Sequence, residues 1–153
     1  MKTYKQVVDL FESAANNHIA IKAFDEGSLD YLDARSQNTK YPYVFLRPVA
    51  SPGLVQDFNG VSGQRSLTFE LFALDVPALS NQSPRQIKSN TEIYIYDLIS
   101  YFNNGPTQRT DYVVLQGLLP VDEAFNDRAY GWVGTITYTD EAVSNYCTYP
   151  QLW

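Results

Sequence analysis

The stretch Ser83–Asn104, SPRQIKSNTEIYIYDLISYFNN, decides how the rest of the chain is arranged. Ser83 is a suitable N-cap, Pro84 fits the first helical position, and Gln86 completes a capping-box pattern three residues after the serine. Ile87, Thr91, Tyr94, Ile95, Leu98 and Phe102 then recur at helical spacing and form one apolar stripe. Lys88 and Glu92 stand four apart on the other side, and Asn104-Gly105-Pro106 is a stop signal. The inner run Thr91–Tyr96 (TEIYIY) alternates like a strand, but cap and stop together frame a helix. At about 20 residues it would be roughly 30 Å long, enough to cover one face of a small sheet.

Toward the N-terminus, Thr3 and Gln6 form a second capping-box pattern ahead of the stripe Tyr4, Val7, Val8, Phe11 and Ala15, and Asn16-Asn17 ends that helix. Ile19, Ile21 and Ala23 alternate with Ala20, Lys22 and Phe24 as a half-buried strand, with Asp25-Glu26-Gly27-Ser28 as the turn after it. Leu29–Lys40 reads as irregular. Tyr41–Val49 (YPYVFLRPV) is a strand whose Pro42 and Pro48 lack a donor, which suits an edge or pairing over its middle only. Ser51–Gln64 reads as an extended hairpin or a loop, with Asn59-Gly60 as the tip of the hairpin. Arg65–Asp75 is the clearest strand: Leu67, Phe69, Leu71 and Ala73 face one way, Thr68, Glu70 and Phe72 the other.

Beyond the long helix, Tyr112–Leu119 and Ala129–Thr139 are strands joined by the acidic segment Val121–Arg128. The order α-β-β-β-α-β-β predicts one α+β domain over residues 1–140, with a mostly antiparallel sheet of about five strands and an N-terminal helix beside the long one. Residues 141–153 read as an extended C-terminal arm.

Composition narrows the function classes. The chain has 153 residues, a net charge of −6 and twelve tyrosines. Tyrosine joins a large apolar body to a polar tip, so an excess of it suits surfaces that are buried against partners; a Tyr-rich β protein with nothing attached is the plainer reading. Lys and Arg are scattered, and no basic run exists to neutralise a phosphate backbone. No apolar run approaches membrane-spanning length, and the opening MKTYKQVVDLFES reads as an amphipathic helix, not a signal peptide. Cys147 is the only cysteine, so no intrachain disulfide forms, and a reducing cytoplasm is the simplest place of synthesis.

Groups for catalysis are few. His18 is the only histidine and sits where a helix C-cap is expected. The carboxylate pairs Asp25/Glu26, Asp30/Asp33, Asp122/Glu123 and Asp140/Glu141 all fall in expected turns, where solvated surface is the ordinary state. The glycines at 53, 60 and 63 match neither a phosphate loop nor a dinucleotide fingerprint. No catalytic, cofactor-binding or metal site is expected.

Tyr41–Pro48, Phe69–Asp75, Ile95–Asn103 and Asp127–Thr137 follow one another in an order that resembles small tail-terminator or tail-completion proteins of tailed bacteriophages, including neck-ring components of crAss-like phages. The resemblance implies a structural virion protein without an active site, made in the host cytoplasm and built into the neck or tail. It would be one subunit of a homo-oligomeric ring between neighbouring portal, connector and tail proteins. Phe58, Tyr146, Tyr149, Leu152 and Trp153, on the hairpin and the arm, are then candidates for subunit contacts. DNA would pass through the ring without tight binding, and Asp25, Glu26, Asp122 and Glu123 are candidates to line an acidic channel. A protein–protein adaptor of another assembly, monomeric alone and binding one soluble partner, also fits, and a small enzyme fits less well.

Overall fold

The hydroxyl of Thr3 accepts the Gln6 N–H at 3.3 Å, and Gln6 Oε1 accepts the Thr3 N–H at 2.8 Å, so the first helix starts with a complete capping box. The computed structural model describes residues 2–35, 40–56, 63–105 and 110–142. They form α1 (Tyr4–Asn17), β1 (Ala23–Glu26), α2 (Leu29–Arg35), β2 (Tyr43–Gln56), β3 (Gly63–Asp75), α3 (Pro77–Ser80), α4 (Pro84–Asn104), β4 (Tyr112–Ala124) and β5 (Ala129–Ala142). The sheet has five strands in the order β1-β2-β3-β5-β4. Only the β1–β2 pair is parallel. The single α+β domain expected from the element order is therefore present.

One face of the sheet carries the main core. From α4, Ile95, Leu98 and Phe102 meet Phe69 and Leu71 of β3, Ile136 and Tyr138 of β5 and Val113 of β4. From α1, Val7, Val8, Phe11, Ala14 and Ala15 pack beside them. Phe11 lies between Phe69 and Phe102, with ring centroids 6.0 and 5.1 Å away, so a single aromatic joins both helices to the sheet. The opposite face has a smaller cluster of Leu32, Tyr43, Phe45, Phe72, Leu74, Val76 and Ala129. Among the described residues it covers the lower rows of the sheet.

Several sequence readings are corrected. Leu29–Arg35 is a helix, because Ser28 Oγ accepts the Tyr31 N–H and burial of Leu32 in the second cluster supplies the apolar contact. The edge strand starts at Ala23, and Ile19 is exposed ahead of it. Asp25 and Glu26 belong to that strand, where they pair with Phe45 and Leu46, and do not form a turn. Val121–Ala124 prolongs β4, and the reversal needs only Phe125–Arg128. Glu123, Phe125 and Arg128 adopt left-handed backbone angles there. On α4 the Ser83 cap is present, but Gln86 bonds Asn90 at 2.9 Å and does not return to the cap. Lys88 reaches across to Asp122. β2 is an inner strand only where β1 covers Tyr43–Leu46, and Pro48 falls beyond that cover, beside a register shift.

The outer edge of β4 is partly closed. Asn103 of α4 bonds both backbone groups of Val113, Nδ2 to O at 2.9 Å and Oδ1 to N at 2.8 Å. Val113 therefore points its backbone away from β5. The unbroken β3–β5 register then turns the partners of alternate β5 residues, namely Leu115, Leu118 and Pro120, outward as well.

Gly131 marks the closest approach inside the sheet. Its φ is +156°, and a Cβ there would lie 1.9 Å from the carbonyl oxygen of Ala73. Gly131→Ala is expected to cost about 3 kcal/mol, because neighbouring backbone has to move. Gly117, with open space around it, should accept alanine within about 0.5 kcal/mol. Paired denaturant melts of the two variants test this, and equal costs would contradict the assignment.

Candidate functional site

Among the described residues, two groupings of polar side chains lie at opposite ends of β3. At the upper end of β3 and β5, Arg65 holds Asp140 with Nε at 3.2 Å and a terminal nitrogen at 2.9 Å, and that same nitrogen donates to the Lys2 carbonyl. The Lys2 N–H donates to Asp140 at 3.0 Å, and its ammonium lies 3.1 Å from Asp111. Between the carboxylates, the Tyr138 hydroxyl donates to Asp111 at 3.0 Å and approaches Asp140 at 3.2 Å. Burial and both carboxylates push the Tyr138 phenol far above its ordinary range. The Asp111 and Asp140 side chains are 1% and 5% exposed, so their charges are balanced within the fold by Lys2 and Arg65. The cluster fixes the N-terminal segment against the sheet.

At the lower end, Asp75 terminates β3. Its carboxylate accepts the Val76 N–H at 2.8 Å, and burial raises its pKa, partly offset by that bond. Tyr41 and Tyr94 both feel its charge. Tyr41 donates to Asp127 at 2.9 Å, and Tyr94 packs edge-on against His18 at 5.1 Å. His18 is the C-cap of α1, as its position predicts. Its Nδ1 accepts the Ala20 N–H at 3.2 Å, which leaves Nε2 to donate to Asp97 at 3.1 Å. The ring thus ties α1 to α4.

The remaining feature is a surface. Along β4, Val113, Leu115 and Leu118 point to the main core, which leaves Tyr112, Val114 and Leu119 on the opposite face. These three are 44%, 48% and 67% exposed. Their cross-strand partners are Thr139, Thr137 and Val133, followed on β3 by Ser66, Thr68 and Phe72. This face therefore has an apolar strip along an edge strand, beside hydroxyls in its upper rows and beside Val133 and Phe72 at its lower end, with the Gly117–Thr135–Glu70 row between them. Glu70, in the row between Val114 and Leu119, is paired with Arg47 of β2 at 2.8 Å. Such a strip suits contact with another protein surface.

The expected site residues are dispersed. Phe58, Tyr146, Tyr149, Leu152 and Trp153 lie outside the described residues. Asp25 and Glu26 stand on the edge strand β1, and Asp122 and Glu123 on the opposite edge strand β4, so the chain does not bring the two pairs together. Glu26 accepts the Tyr4 hydroxyl at 2.7 Å, Glu123 accepts the Tyr130 hydroxyl at 3.0 Å, and Asp122 is paired with Lys88. Asp140 is buried in β5 and is not in a turn. Sequence reading missed the strip, although YVVLQGLL (112–119) is apolar at odd and even positions alike, the signature of a strand that has to be covered on both faces. Among the described residues no three His, Cys, Asp or Glu side chains converge to hold a metal ion, and no helix is long and apolar enough to cross a membrane. No protein-family model and no curated protein matches the chain.

Two outcomes follow from the buried charges. Arg65→Met should destabilise the domain by about 3–5 kcal/mol, since it leaves Asp140 buried beside Asp111 with Lys2 alone; a loss below 1 kcal/mol in denaturant melts would show the cluster to be dispensable. Asp75 behaves in the opposite sense. Its folded pKa lies above its unfolded value, so its favourable contribution is complete below the unfolded pKa of about 3.9 and is lost as pH rises through the raised one. Asp75→Asn should therefore raise stability at neutral pH relative to the parent, with the gain shrinking toward pH 4. A gain independent of pH would exclude the carboxylate as its cause.

Proposed function

We propose that this chain is a structural subunit of a ring in the neck or tail of a tailed bacteriophage, of the tail-terminator or tail-completion kind. It would join the portal side to the tail and surround the DNA passage. The observation that carries the reading is the uncharged apolar strip Tyr112, Val114 and Leu119 on the open face of an edge strand. In a chain of net charge −6, copies repel one another, and burial of such an apolar surface is what can offset that repulsion. The motif order from Tyr41 to Thr137 supplies the virion setting, and the polar clusters support a scaffold whose buried charges serve the fold.

A ring subunit gives one surface and receives another, so that repetition closes by rotation. The strip lies to one side of the sheet, beside β4. The opposite edge is made by the short β1 and by the outer side of β2, so the two sides of the subunit are chemically different. Within the ring, acidic groups and the shortage of clustered Lys and Arg would keep DNA from adhering while it slides. Asp25, Glu26, Asp122 and Glu123 remain the groups proposed for the channel, with Asp25 and Glu26 supplied by one edge of the subunit and Asp122 and Glu123 by the other.

Negative-stain imaging and light scattering of the purified protein are expected to show closed rings of uniform size. A protein that stays monomeric at every concentration and captures a single soluble partner would overturn the reading in favour of an adaptor. Duplex DNA should bind weakly, with no steep dependence on salt. Submicromolar binding with a steep negative salt slope would instead indicate a nucleic-acid-binding module.

A further inference from the structure

The strip on β4 needs a cover of matching chemistry, and the chain's own C-terminal sequence has it. We infer that residues 143–153 of a second copy occupy the open face of β4, so that each subunit contributes this segment to the next; the inference rests on the ring reading above. The strip presents Tyr112, Val114 and Leu119 beside Ser66, Thr68, Thr137 and Thr139. Residues 143–153, VSNYCTYPQLW, contain no Asp, Glu, Lys or Arg, so their burial on this face strands no side-chain charge. Tyr146, Tyr149, Leu152 and Trp153 supply large apolar anchors of the type that dominates interface energetics, and the hydroxyl ladder supplies partners for their polar tips.

Length and starting point agree with this assignment. The segment begins after Ala142, which pairs with Gly63 beyond the Tyr112–Thr139 row that starts β4. From Tyr112 to Leu119 the strip extends roughly 23 Å at the rise of a strand. Eleven residues can span at most roughly 36–40 Å, enough to cover it with a margin for crossing between subunits. The segment and the strip are different surfaces, so each copy can give one and receive the other, and repetition of that contact around a ring is what the ring reading requires.

Cys147, the only cysteine, makes the test direct. Val114→Cys in the full chain, oxidised under mild conditions, is expected to yield a ladder of covalent oligomers on a denaturing gel, and adding Cys147→Ser should abolish it. A crosslinked monomer would mean that the segment covers its own subunit, and absence of any crosslink would mean that it lies elsewhere; either result overturns the inference. Full-length Val114→Lys/Leu119→Lys and Tyr149→Lys/Trp153→Lys should each lose assembly at least tenfold while keeping the parent's circular dichroism. Mixed together, they should form heterodimers, since one intact junction remains. Rings unaffected by both double variants would overturn the segment's role and leave the ring reading standing. A parent that never assembles would overturn both.

Discussion

The apolar stripe of α4 has to leave water, and the rest of the architecture follows from where it goes. Ile87, Thr91, Ile95, Leu98 and Phe102 are buried along its length. The Thr91 hydroxyl satisfies itself on the Ile87 carbonyl at 2.7 Å, so the one polar member of the stripe costs little. Trp132 of β5 donates to the Lys88 carbonyl at 2.8 Å, and Asn103 closes on Val113, which anchors the helix to the sheet near both ends. With that face occupied, α1 fits beside α4. Among the described residues, the second face is covered by α2, Val76 and the β4–β5 turn. The asymmetry between a sealed face and a half-open one is the main functional statement the fold makes.

Local chemistry of this kind was legible in the sequence. Thr3 and Ser83 name their helix starts because a cap acts over three residues, and Leu67, Phe69, Leu71 and Ala73 name their face because strand alternation is strict. What was hidden depends on contacts distant in sequence. Asp140 looks like part of an exposed pair until Arg65, 75 residues away, and Lys2, 138 residues away, are brought to it. Gln86 and Lys88 have good local partners on paper, but Asn90 and Asp122 compete for them successfully. The short α2 escaped notice because seven residues carry too little periodicity to stand out from a polar loop.

The strip on β4 occupies a middle ground. Its apolar residues were visible, but their exposure was not, since a strand apolar on both faces is ordinarily an inner strand. Topology decides the matter: β5 inserts between β3 and β4 and leaves β4 outermost. The same topology places β1 at the far edge and separates the two acidic pairs by the width of the sheet.

An edge strand with an apolar face is also a hazard before assembly, because a stray strand can add to it and start a fibre. Three prolines bear on that hazard here. Pro120 sits among the outward-facing residues of β4, and Pro48 and Pro52 lie on β2 beyond the cover of β1; none of them has an N–H to offer an incoming strand. Asn103 has already taken the groups of Val113. Strand addition at these edges is therefore disfavoured, while contacts made through side chains stay possible.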